Sequence, residues 1–215
     1  VVDGATSITE SGSVVAGASR PQQKTLTFMT DGPRLVEYRE GIITPMETQD
    51  ENWKSGIDLK NYTDRFTYVL SPNENQIWKY ERRRSNYSEA VAYNQGASLA
   101  EAVSFAIDGA IYVLSADGGI QKLFRGVAQD YDFAELPSVG FEGPNLKIYT
   151  TDDLEFLYIL DPDNNRVLIF NKGDRYATYR RQVMYDIDNA ADFVIDDSGL
   201  KVTIITDSKI YEFSL

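Results

Sequence analysis

Four aspartates set the frame of this chain. Asp64, Asp108, Asp152 and Asp196 follow one another at intervals of 44 residues. Each closes one apolar run and immediately precedes another: SFAID leads into GAIYVL, KIYTTD into DLEFLYIL, and DFVID into DSGLKVTII. A second marker travels with the first, made of an apolar run, a short Asp/Asn/Gly turn and a further run. It occurs as YVLSPNENQIWKY (68–80), IYVLSADGGIQKLFRG (111–126), YILDPDNNRVLIF (158–170) and TIITDSKIYEF (203–213), with a weaker copy, TFMTDGPRLVEY, at 27–38. Runs rich in β-branched and aromatic residues, broken by Gly, Pro, Asn and Asp, read as strands joined by tight turns. A unit of this kind buries its apolar faces only by stacking on copies of itself.

A repeat of this length with about four short strands is the signature of a β-propeller blade. The second blade is expected to hold strands at 56–62, 65–70, 76–81 and 88–94. The third takes 102–108, 110–115, 119–124 and 131–136, and the fourth 146–151, 156–161, 166–171 and 175–182. The last has only three, at 192–196, 201–206 and 209–214. Upstream, 25–30, 34–40 and 41–47 supply strands for a first blade that begins within 11–17. The expectation is therefore an all-β propeller, a single domain over residues 1–215, with five blades of about 43 residues. Part of 1–9 would supply the outer strand missing from the last blade, which removes an unpaired edge. A fragment of a six- or seven-bladed ring is the alternative. One segment is helix-like, 97–103, where Ser98 and Glu101 are spaced as a capping box, and it reads as a single turn in a blade-to-blade connection rather than a separate element.

Composition narrows the chemistry. A formal charge of −12 leaves no basic footprint for a nucleic acid or an anionic membrane surface. There are no cysteines and no histidines, so disulfides, thiolate chemistry and the histidine general base are all absent. No apolar run approaches the ~20 residues that span a bilayer, so direct membrane insertion is not expected. The chain begins at Val1 rather than Met, which fits either a processed chain or an excised domain; a soluble part of a larger protein, cytoplasmic or extracytoplasmic, is the expectation. No cofactor is expected.

The segments FAIDGAIYVLSADGGIQKLF (105–124), LYILDPDNNRVLIF (157–170) and FVIDDSGLKVTIITDSKIYEF (193–213) share one pattern. A strand ends in Asp, a short turn follows, then a Tyr-Val-Leu-like run, an Asp/Asn/Gly turn and an aromatic-ended run. This resembles the NHL-type and related bacterial β-propellers over roughly 57–215. The resemblance implies the propeller fold and a binding or sensing module attached to a larger bacterial protein. It is nearly silent on activity, because the fold hosts scaffolds, receptors and enzymes alike.

Each candidate for chemistry has a structural reading beside it. The four aspartates could chelate a cation around a central channel, but a residue repeated once per blade is better read as accepting N–H groups of its own turn. Asp161-Pro162-Asp163-Asn164-Asn165 begins like a Ca²⁺ loop, yet Arg166 stands where the loop needs glycine and Lys172 where it needs glutamate. A plain turn explains it. Residues 115–119 resemble the Asp-box turn of sialidase-type propellers, with Lys122 in place of the expected aromatic. The basic run Lys79, Arg82, Arg83 and Arg84 reads as a solvated loop balanced by Glu74, Glu81 and Glu89. No catalytic or metal-ligating set is assigned. The function expected is a non-catalytic binding or scaffold domain that recognises a protein or small ligand on one face. That face would gather the turns between second and third strands: 31–33, 72–75, 116–119, 162–165 and 207–208. Asn73, Glu74, Asn75, Asp117, Asp163 and Asn164 are its candidate contacts. The alternative is a Ca²⁺-assisted hydrolase or lactonase-like enzyme using channel carboxylates.

Overall fold

Strands form where the apolar runs lie, and the turns between them follow local chemistry. The computed structural model describes residues 12–31, 34–46, 48 and 55–215. The expected closing strand within 1–9 and part of the turn at 31–33 lie outside them. The chain divides into two compact units, Val1–Gln95 and Gly96–Leu215.

In the first unit, β1 (Val14–Arg20), β2 (Thr25–Thr30), β3 (Leu35–Arg39) and β4 (Ile42–Met46) pair in chain order, each antiparallel to the next. A second sheet repeats the order with β5 (Asp58–Tyr62), β6 (Phe66–Ser71), β7 (Gln76–Glu81) and a two-residue β8 (Val91–Ala92). Met29, Leu35, Leu59, Val69 and Tyr80 form the core between them. A polar network runs through this core. Arg20 is buried and donates to the carbonyls of Thr63 and Phe66, to the Thr67 hydroxyl and, at 3.2 Å, to the Tyr87 hydroxyl. Tyr87 in turn donates to buried Glu37 at 2.9 Å, and Arg82 grips the same carboxylate with two bonds of 2.6 Å. The basic run is thus not uniformly solvated. Arg83 and Arg84 are exposed, but Arg82 turns inward because a buried carboxylate needs a bidentate partner. That hydrogen bond to Glu37 is the main reason the Arg82 pKa is raised.

The second unit holds three sheets. Its first is β9 (Ala102–Ile107), β10 (Ile111–Ser115), β11 (Ile120–Phe124) and the two-residue β12 (Val127–Ala128). The next is built from β13 (Asp132–Glu135), β14 (Lys147–Tyr149), β15 (Phe156–Asp161), β16 (Arg166–Lys172) and β17 (Tyr176–Met184). The last is β18 (Ala190–Ile195), β19 (Lys201–Thr206) and β20 (Ile210–Ser214). Strands β15 and β16 are continuously apolar because both their faces are covered, and period-two geometry divides their side chains between two cores. Leu157, Ile159, Leu168 and Phe170 pack with Tyr112 and Leu114. Their alternates Tyr158, Leu160, Val167 and Ile169 pack with Phe193, Val202 and Ile204.

One expected strand placement needs correction. The segment at 131–136 is not the fourth strand of the third sheet. Arg125 and Gly126 both take positive φ, the type I′ geometry that returns the chain directly onto β11 as β12. The freed segment then adds to the outer edge of the following sheet as β13, parallel to β17, with Asp132 opposite Tyr176. Aromatic packing draws it there: the Phe133 ring lies 4.7 Å from Phe170 and 5.6 Å from Phe141. At 97–103 the chain makes the single turn expected of a connection, the Ala102 N–H donating to the Leu99 carbonyl at 3.0 Å, and β9 begins at Ala102.

Among the described residues, five sheets of three to five strands, taken up in sequence and with almost no helix, are the architecture of a five-bladed β-propeller.

Candidate functional site

The turn between β15 and β16 begins at a buried aspartate. Pro162 opens a single 3-10 turn, and Asn165 closes it in the left-handed region, with its N–H bonded to the Pro162 carbonyl. Proline presets φ and asparagine tolerates αL, so the sequence Pro-x-x-Asn makes this turn by itself. The same chemistry shapes Pro72–Glu74 and Asn75 between β6 and β7.

Asp161, at the head of the turn, is wholly buried and faces Arg166, only 2% exposed, across a 2.8 Å ion pair. Asp161 also accepts from the Asn164 amide, at 2.9 Å to the side chain and 3.3 Å to the backbone. The remaining arms of Arg166 reach the Gln182 side chain at 2.9 Å and the carbonyls of Val139 and Gly140 at 3.0 and 2.6 Å. One ion pair therefore organises two separate pieces of chain: the 162–165 turn and the long connection 136–146. A planar guanidinium suits this role because its donors diverge in fixed directions.

The connection is held at two further points. Phe141 is buried, with Phe170 6.0 Å away, and the Gly143 N–H donates to the Ala116 carbonyl at 2.7 Å. The partner turn is equally fixed. Asp117 accepts from the Gly119 N–H at 2.9 Å, and Gly118 has φ +79° with the Phe141 carbonyl so near that a Cβ would lie 2.2 Å from it. Only glycine fits there.

Between these pieces lies a cavity of about 610 Å³, within the range of small-ligand sites. The β10–β11 turn contributes Asp117 and Gly118, and the β15–β16 turn contributes Asp163 and Asn164. The connection supplies Leu136, Gly140, Phe141 and Glu142. Three lining side chains are carboxylates and none is basic. The buried Tyr185 hydroxyl finds no hydrogen-bond partner among the described residues. Burial first, then the nearby charges of Asp161 and Asp163, hold its pKa well above the ordinary phenol value.

Of the expected contacts, Asp117, Asp163 and Asn164 meet at this cavity. Asn73, Glu74 and Asn75 lie on the β6–β7 turn of the other unit. Asn73 is exposed, Glu74 accepts from the Ser55 hydroxyl at 2.6 Å, and the Asn75 carbonyl accepts from the Asn94 side chain at 2.9 Å. Leu136, Phe141 and Glu142 were not anticipated. A signal was present: LPSVGFEGPN (136–145) combines Pro, Gly and large apolar residues in a long connection, which marks a loop that packs against something.

The four spaced aspartates occupy the corresponding turns, between first and second strands, but their bonding differs. Asp196 accepts from the N–H groups of Leu200 and Lys201 at 2.9 and 2.8 Å; the Ser198 hydroxyl is the leading cause of its lowered pKa. Asp108 pairs with Lys172 at 2.8 Å, and Lys172 also donates to the Thr150 hydroxyl at 3.1 Å. The backbone carbonyl of Asp64 accepts from Gln23, and Asp152 is exposed. Among the described residues no group of three acidic side chains is placed to hold a metal ion.

No protein-family model matches the sequence, and no curated protein matches it. Solved structures do. A streptogramin B lyase shares 17% identity over 95% of this chain and 69% of its own, with a TM-score of 0.57. A functionally unknown protein from Desulfotomaculum acetoxidans DSM 771 shares 10%, over 94% and 68%, at 0.60. The virginiamycin B lyase from Staphylococcus aureus shares 14%, over 96% and 71%, at 0.57. At these identities the likeness is one of fold.

Proposed function

We propose that this chain acts as a single, non-catalytic binding propeller domain, NHL-like in its repeat and part of a larger bacterial protein. Its protein or small-molecule ligand is taken up in the cavity bounded by the β10–β11 turn, the β15–β16 turn and residues 136–142. The observation that carries this reading is the cavity itself, whose walls are locked by Asp161 and Arg166 before any ligand arrives. Rigid scaffolds that present pre-shaped loops are a common way to build binding surfaces.

Two of the similar structures are lyases, but an elimination needs a base aimed at a substrate proton. At 17% and 14% identity those structures share the fold, which carries no such base from them to this chain. The calcium-assisted hydrolase reading draws no support from the carboxylates described.

A library of small acids, amines and neutral fragments, screened by ligand-observed NMR, tests the proposal. Hits should vanish when Leu136→Trp fills the cavity. Hits indifferent to that change, yet lost on altering the rim that carries the first-to-second-strand turns, would overturn it.

A further inference from the structure

The surface around this cavity continues beyond it in a way that identifies a partner class. Leu136 and Val139 are each 57% exposed, and Met184 is 59% exposed. Arg166 links the last two. Its guanidinium holds the Val139 carbonyl, Met184 is its neighbour across the β16–β17 pair, and Gln182 links both, accepting from Arg166 and touching the Met184 sulfur at 3.7 Å. Leu136, on the same connection as Val139, forms part of the cavity wall. Single exposed aliphatic residues are ordinary; several beside a cavity mark a docking surface, and methionine adapts to varied partners.

Charge defines the other half of the surface. Glu142 and Asp163 make no hydrogen bond or ion pair within the described residues, and Arg166, buried beneath, is fully used by its own partners. The cavity therefore presents carboxylates without a counter-charge, beside an apolar shelf.

Resting on the binding reading above, we infer that the occupant is a segment of another protein carrying a lysine or arginine flanked by apolar residues. The basic side chain enters the cavity between Asp117, Glu142 and Asp163, with its methylenes against Phe141. The flanking residues cover Leu136, Val139 and Met184. A free amine of small size would satisfy the carboxylates but leave the shelf uncovered. Exposed ion pairs contribute little singly, so the apolar shelf and the basic anchor are needed together.

Fluorescein-labelled 12-residue peptides test this by anisotropy. The central residue is Lys, Arg, Gln or Glu, and its flanks are Leu or Ser. Lys- and Arg-centred peptides with Leu flanks should bind at least about tenfold more tightly than the Gln- and Glu-centred ones. Glu142→Gln with Asp163→Asn should cost about tenfold, and rising salt should weaken binding. Leu136→Ser with Met184→Ser should abolish the preference for Leu flanks. Equal binding of Gln- and Lys-centred peptides would overturn the basic anchor while leaving a binding cavity. Spermidine competing as well as the peptide, or fragments binding where no peptide does, would overturn the protein partner alone. Failure of fragments and peptides together would remove both readings.

Discussion

Replacing Arg166 by methionine keeps most of the side-chain volume and removes one charge from a site that is 2% exposed. The wholly buried Asp161 then keeps only its bonds from Asn164, while the carbonyls of Val139 and Gly140 lose their donor. Breaking one partner of a buried ion pair costs roughly 3–5 kcal/mol, because the remaining charge stays desolvated. For a domain of this size about 1 kcal/mol moves the melting temperature by some 2–4 °C, so a drop of roughly 6–20 °C is expected. Removing both charges, with Asp161→Asn and Arg166→Met, should cost clearly less than the two single changes added together, since no lone charge remains. Circular dichroism melts give the energies. Hydrogen exchange gives the location: the Phe141 and Gly143 amides should exchange faster while those of β15 stay protected. Strict additivity, or a loss under about 1 kcal/mol for Arg166→Met, would refute the claim that this pair latches the connection.

Other perturbations separate the remaining contributions. Gly118→Ala forces φ +79° on a residue with a Cβ and drives it into the Phe141 carbonyl; a loss of about 2–4 kcal/mol is expected by denaturant titration. Gly140→Ala, with nothing within 4 Å of its Cβ position, is the control and should be nearly neutral. Tyr87→Phe removes a donor to Glu37 and an acceptor for Arg20 and should cost about 1–3 kcal/mol, seen as a lower denaturation midpoint. The Asp196 carboxyl is held below its ordinary pKa, first by Ser198 and then by its turn amides. Its contribution is complete above the ordinary carboxylate value and fades as the pH falls through the lowered folded value. Asp196→Asn should therefore flatten the acid end of a stability-against-pH curve; an unchanged slope there would contradict the assignment.

Most of the strands were readable from the chain because their causes are local. Apolar alternation marks a strand within five or six residues, and Pro72, Asn75, Pro162 and Asn165 specify their turns without outside help. The 44-residue spacing then required stacked copies, since no single unit covers its own faces. The binding surface was only half visible. Asp117, Asp163 and Asn164 sit on turns that sequence can locate, so they could be named. Phe141 and Glu142 reach the same cavity only because 136–146 is drawn across two sheets.

Linear pattern by itself determined the fold class, most of the strands and the proline turns, the last two set by interactions spanning a few residues. Tertiary structure alone decided where β13 pairs, why Arg82 and Arg166 point inward, and which carboxylates share a cavity. Those outcomes depend on partners far along the chain, such as Phe170 for Phe133 and Glu37 for Arg82. A buried charge takes whichever partner the completed packing brings to it, and local sequence carries no record of that choice.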